Sequence, residues 1–197
     1  MILVSSERFS EHQTPDGHPE QPARARVMSQ VSRGWAETGG VVTAPRRARR
    51  DELVRVHDAD YIDKIAATAG QRLRLDSDTY TSPESYDVAL EAAGATVMAV
   101  EHTLATGAPA MALVRPPGHH AEADRAMGFC VFNNVAVAAA AARAAGCDRV
   151  AVIDYDVHHG NGTQWMFYED PSVLYVSVHQ YPFYPGTGSV TETGRAA

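Results

Sequence analysis

Residues 150–164, VAVIDYDVHHGNGTQ, constrain this chain more than any other stretch. Val150 to Ile153 is a short apolar run rich in β-branched residues, which reads as a buried strand. Asp154, Asp156 and His158 follow at alternate positions. On extended backbone, side chains two apart point the same way, so these three are expected on one face. Two carboxylates and an imidazole together suit zinc, iron or manganese better than magnesium or calcium. A solvated or salt-bridged strand end is the alternative. It is weakened because three ionisable groups on one face would repel or desolvate one another without a cation. Gly160 and Gly162 are expected to break the strand and turn the chain into the next helix.

A chain of 197 residues, 45% apolar and 21% charged, is long enough to bury the core of one globular domain. The net charge of −7 argues against a general nucleic-acid binder. The basic run Arg46-Arg47-Ala48-Arg49-Arg50 reads as a solvated loop ahead of a helix. Cys130 and Cys147 lie in unrelated contexts with no CxxC spacing, so free thiols in a reducing, cytoplasmic setting are expected. Met1 to Val4 is too short for a signal peptide, and the longest apolar run, Val135 to Ala142, stops at Arg143, well short of a membrane span.

In chain order, strands are expected over 1–5, 41–44, 111–114, 150–153 and 173–178, alternating with helices over about 22–37, 51–56, 60–69, 83–105, part of 129–145 and 163–168. Ser82-Pro83-Glu84 predicts a helix start: a capping hydroxyl, proline at the first helical position, then an acid. Val88, Ala92, Ala95 and Ala99 mark that helix's buried face, with Met98 in the core. The alanine-rich helix before Gly146 must be buried and closely packed. His12 and His18 fall in a polar loop and are either site residues or, as is commoner for loop histidines, exposed. This alternation argues for an α/β fold with a mainly parallel sheet flanked by helices. Sites in such folds sit at the carboxyl ends of strands. The loop Arg115-Pro116-Pro117-Gly118-His119-His120 should therefore converge on Asp156 and His158, with Asp154 partnering a histidine. Phe129, Phe183 and Tyr184 are candidates for the walls of a narrow apolar channel or for ordinary core.

With these residues in view, RPPGHHAE (115–122), GFCVFNN (128–134), DYDVHHGNGTQ (154–164) and SVHQ…YPFYPGTG (177–188) resemble the zinc-dependent histone deacetylase and acetylpolyamine amidohydrolase superfamily. HPEQPAR (18–24), VHDADY (56–61) and DSDTYTSPES (76–85) resemble the amino-terminal half of its class II-like, bacterial-type members. The resemblance implies an arginase-like fold and hydrolysis of an N-acetyl amide on a lysine or polyamine. It implies Asp156 and His158 as zinc ligands, and His119 and His120 as tandem catalytic histidines. His120 would be the general base, and His119 its electrostatic partner or the acid that protonates the leaving amine. Asp154 would serve the first histidine and Asn161 the second, where class I enzymes carry Asp. Gly128, Phe129 and Tyr184 would line the acyl-amine tunnel. Asp154 and Ser177, with the main chain of Asp156 and His158, would hold a potassium ion; Phe167, Asp170 and Val173 fall at a second monovalent-cation site.

The resemblance also implies a third zinc ligand, an Asp from a later stretch, and a Tyr in a Gly-Gly-Tyr-type loop. Neither has a counterpart in residues 1–197. The expectation is one deacetylase-like domain over 1–197, incomplete at its C-terminus, with an unpaired sheet edge and a bare apolar face. It would be active only when completed by a complementing half or an oligomeric partner. A non-catalytic remnant or binding module is the alternative. Acetylated lysine or polyamine is the expected partner, with neither nucleic acid nor membrane.

Overall fold

Residues 1–195 are described by the computed structural model, and along them strands and helices alternate. β1 (Ile2–Ser5), β2 (Val41–Thr43) and β3 (Ala110–Leu113) form one sheet in the order β2-β1-β3. β4 (Val150–Asp154) and β5 (Val173–Ser177) form a second pair. Every ladder is parallel, as expected, although the strands fall in two hydrogen-bonded groups rather than one. Parallel neighbours need crossovers. α1 (Pro22–Glu37) links β1 to β2; α2 (Arg50–Leu53), α3 (Ala59–Ala66) and α4 (Ser85–Thr106) lead to β3; α5 (Asn134–Ala144) leads to β4 and α6 (Asn161–Met166) to β5.

The long helix α4 lies against α5, β3 and β1. Val88, Ala92 and Ala95 are buried, Ala99 only half-buried. Burial is not confined to that stripe. Val88 and Ala92 pack with Phe9 and Ala25 on one side, while Ala89, Ala93 and Val97 join Leu53, Ile62 and Phe132 on the other. Small side chains permit this approach from two sides. At Gly94 a Cβ would collide with the main chain of Arg46 and Ala48, and Ala48 N–H donates to Leu90 O at 2.8 Å. Met98 is half-buried, its sulfur receiving the Arg46 N–H. The helix begins at Ser85, later than Ser82-Pro83-Glu84 predicts. The Ser82 hydroxyl is taken by the Gln13 N–H and Glu11 O of the first loop, and Ser85 Oγ accepts the Ser82 N–H at 2.7 Å.

Alanines 136, 138, 139, 141 and 142 of α5 are buried, as its composition requires. Asn133 caps this helix, its Oδ1 accepting from Ala136 N–H at 3.1 Å. α5 covers one face of the second pair: Val152 and Val173 are buried with Ala136, Ala139 and Phe167. The opposite face is bare, with Ile153, Leu174 and Val176 at 69%, 62% and 40% exposed.

The basic run is, as expected, a largely exposed loop ahead of α2, and its guanidiniums are paired there. Arg46 pairs with Glu52 and Glu101, Arg47 with Asp87, Arg49 with Asp51 and Glu52, and Arg50 with Asp63. The expected exposure of the loop histidines needs correction. His12 is buried, with Nδ1 2.6 Å from Ser85 Oγ and Nε2 3.5 Å from Glu20; His18 is wedged edge-on between Tyr80 and Phe129. A carboxylate partner and an aromatic slot supply what water would otherwise provide. Both cysteines are free, Cys130 buried and Cys147 half-buried. No helix among the described residues is long and apolar enough to cross a membrane.

Candidate active site

The chain leaves β3 at Arg115, a buried guanidinium held by both Glu20 oxygens at 2.5 and 2.8 Å and by the carbonyls of Phe9 and His12. That clamp fixes the start of the loop carrying His119 and His120. Their rings are 4.0 Å apart at 48°. His119 Nδ1 lies 2.8 Å from Asp154 Oδ2, and His120 Nδ1 lies 2.9 Å from Asn161 Oδ1. Adjacent histidines thus receive unlike partners, one anionic and one neutral.

Asp154 ends β4, and its Oδ2 also accepts the Tyr175 hydroxyl at 2.9 Å. Burial alone would raise this carboxyl, but the His119 hydrogen bond and charge, the Asp156 N–H and the Tyr175 hydroxyl outweigh it and hold it below the ordinary range. His120 is pushed down to about 4, by burial first and then by His119. It is neutral at pH 7, with Nε2 free to accept a proton once Nδ1 donates to Asn161.

The strand does not extend through Asp156 and His158; it stops at Asp154. Their placement comes from two successive side-chain turns instead. Asp154 Oδ1 accepts the Asp156 N–H at 3.1 Å, and Asp156 Oδ1 accepts the His158 N–H at 2.9 Å. A short acceptor bonding its own backbone two residues on is a known turn-former. The outcome still brings the pair together: His158 Nδ1 is 3.1 Å from Asp156 Oδ1. Two donors about 2.0–2.1 Å from one tetrahedral zinc are separated by roughly 3.3 Å, so the pair fits two ligands of such an ion. Among the described residues no cluster of three or more His, Cys, Asp or Glu forms a metal site.

Aromatic rings close around the histidines. Tyr184 is edge-on to His120 at 5.0 Å and to His158 at 5.9 Å, while Phe183 stacks on His158 at 5.7 Å and 14°. Burial first, and then Asp78 and Asp76, raise the Tyr184 phenol. Phe129 contacts His18 at 5.0 Å, and its N–H donates to Thr79 Oγ1 at 3.0 Å. Its φ of 71° is the only positive one at a non-glycine among the described residues. A bulky residue there is strained by about 1–3 kcal/mol, a cost that concentrates at functional sites. Gly128 precedes it at φ 57°, and a Cβ there would strike the His120 ring.

For the monovalent-cation positions, Ser177 stands opposite Asp154 in the parallel register, with Ser177 Oγ 2.8 Å from His179 Nδ1. Asp170 N–H donates to Phe167 O, and Val173 N–H to Asp170 O. Three participants were not apparent from sequence. Tyr175 bridges Asp154 and the Gly160 N–H, at 2.9 and 3.1 Å. Gly160 is needed for close approach rather than to end a strand: a Cβ would hit Asp154, Tyr175 and His119. Glu122 holds the far end of Asn161. Glu122 carried a signal as the last residue of RPPGHHAE and Gly160 as a glycine of DYDVHHGNGTQ, there read as a turn former; Tyr175 carried none.

These contacts stand on a parallel α/β frame, and comparison with known proteins gives the family. The histone deacetylase domain matches residues 18–197, and the chain belongs to that family. It is 40% identical over 198 residues to a "Probable deacetylase" of Methanothermobacter thermautotrophicus, covering 98% of this chain and 59% of that protein. It is 42% identical over 188 residues to Histone deacetylase 15 of Arabidopsis thaliana, covering 90% of this chain and 33% of that protein. A crystal structure of the HDA15 HD domain superposes with a TM-score of 0.92 at 37% identity, over 99% of this chain and 60% of that one. The fold is therefore the arginase-like α/β fold of the deacetylases. The chain spans about 59% of the archaeal relative's length.

Proposed function

We propose that this chain carries half or more of a zinc-dependent deacetylase site that hydrolyses N-acetyl amides on lysine or a polyamine. The observation that carries the reading is the pair of touching histidines with unlike partners, set beside Asp156 and His158. Asp156 and His158 would hold the zinc, which when bound polarises the amide carbonyl and acidifies a water. His120, neutral and with Nε2 open, takes a proton from the attacking water. His119, braced by Asp154, is the electrostatic partner or passes a proton to the departing amine. Gly128, Phe129 and Tyr184 wall the acyl chain and exclude water from it. Asp154, Ser177 and the main chain of Asp156 and His158 would hold a potassium ion beneath.

The domain reading belongs to the same proposal. Residues 1–197 form one unit whose site is completed by further polypeptide laid over the bare face of β4 and β5. The exposure of Ile153 and Leu174 supports this, because a patch of that kind on a lone protein marks a contact surface. Such a complement, from the same polypeptide or another, supplies the third ligand and the phenol. A second reading, a non-catalytic module that retains the groove, draws on the metal-ligand pair standing without a third member among the described residues.

Turnover of an acetyl-lysine peptide and an acetylpolyamine, with and without added zinc, by the chain joined to the polypeptide that completes it separates the two. Zinc-dependent turnover that falls by at least about 10²-fold in His120→Ala supports the hydrolase. Turnover indifferent to His120→Ala contradicts it. Binding of acetylated amines without turnover supports the module.

A further inference from the structure

The base assigned above works only if its proton sits on Nδ1, so that Nε2 faces the site bare. His119 obtains this tautomer directly from a carboxylate. His120 faces Asn161, and a primary amide presents an acceptor at one end and donors at the other. Either end could meet an imidazole nitrogen. What decides is the far side of the amide. Asn161 Nδ2 is surrounded by three acceptors: Glu122 Oε1 at 2.7 Å, His120 O at 3.4 Å and Met127 Sδ at 3.4 Å. Only the first is close enough to be strong. Asn161 is buried, so solvent offers no alternative.

We propose that Glu122 is a positioning residue that sets the tautomer of His120 through Asn161. A carboxylate only accepts, so the amide must turn Nδ2 to Glu122 and Oδ1 to His120, which then has to donate from Nδ1. Glu122 is itself fixed. Its N–H donates to Arg125 O at 3.0 Å, its carbonyl lies 3.0 Å from His57 Nδ1, and Arg125 donates to the same Oε1 at 2.7 Å. The charge that orients the base is thus kept one amide away from it. The mechanistic meaning of this rests on the reading of His120 as base, but the orientation itself does not.

The test is long-range proton–nitrogen correlation spectroscopy of the imidazoles in the ¹⁵N-labelled chain, with His120→Gln to assign the signals. Expected in the unmodified chain is a single His120 tautomer, protonated on Nδ1. Glu122→Ala should shift His120 toward a mixture of tautomers while His119 stays as it was. Glu122→Gln, whose carbonyl still accepts from Asn161, should restore the pattern. A His120 spectrum unchanged in Glu122→Ala, or His119 and His120 moving alike, overturns the proposal. Glu122→Leu, of similar bulk and with no oxygen to accept from Nδ2, covers the case in which Glu122→Ala does not fold and should give the same mixture. Adding Asn161→Asp, a carboxylate that only accepts, should return His120 to Nδ1 alone; a His120 spectrum unmoved by Glu122→Leu overturns the proposal. Since the readout is not turnover, a chain inert toward acetylated amines still decides the matter.

Discussion

A neutral histidine buried between two backbone groups shows how single residues fix this site. His57 Nε2 accepts the Asn133 N–H at 2.9 Å, so its Nδ1 donates to Glu122 O at 3.0 Å. A second proton would have nowhere to go but against Asn133 N–H. Burial accordingly pushes this imidazole down to about 4 from 6.5. Between those values the unfolded chain binds a proton that the folded chain refuses. Stability should then be complete above about pH 6.5 and decline as the pH falls toward 4. The full loss is on the order of 3 kcal/mol. Urea unfolding across that range measures it, and His57→Gln should flatten the slope; an unchanged slope would show that other groups set it. Gly160 offers a second residue-scale test. Gly160→Ala drives a methyl into Asp154, Tyr175 and His119, and should cost about 1–3 kcal/mol in the same experiment, with the His119–Asp154 bond visibly displaced by NMR. A neutral effect would mean that the three groups are not in contact.

At the scale of elements, the two faces of β5 behave as opposites. Val173 is buried under α5, whereas its neighbour Leu174 points away from it and is 62% exposed. Val173→Ala should destabilise by about 2 kcal/mol, and Leu174→Ala by less than about 0.5 kcal/mol in the isolated chain. Comparable losses would mean that something already covers the second face, as a stable self-assembly would. The elements themselves were largely legible: apolar runs of about four residues mark all five strands, Pro45 closing the second, and α1 spans Pro22–Glu37 as its Pro and Gly-Gly punctuation implies. Legibility failed where side chains outbid local patterns. Ser82 could not be read as a long-range anchor for Gln13 and Glu11 rather than a cap, because its partners lie about seventy residues away. The Asp-x-Asp-x-His alternation suggested a strand, and two side-chain turns produced the same convergence by another route. Phe129 at positive φ had no signal at all, since nothing local favours it.

For the whole molecule, the histidine-bearing loop of β3 and the acidic turns after β4 meet although no ladder joins their strands. Side-chain bonds such as His119–Asp154 and Asn133–Thr163, together with α5, tie the two groups. The tandem histidines and Asp154 came from the strand-end argument and Asn161 from motif likeness; His119 lies against Asp154 and His120 against Asn161. The account turns on the proposed zinc pair, Asp156 and His158, which touch each other and stand partly open to solvent. Equilibrium dialysis of the purified chain against zinc tests it most directly. A single saturable zinc, weaker than a three-ligand site and abolished by Asp156→Ala and by His158→Ala separately, is the expected result. Zinc binding that survives both substitutions, or no binding at any accessible concentration, would contradict a deacetylase metal centre built on these two residues.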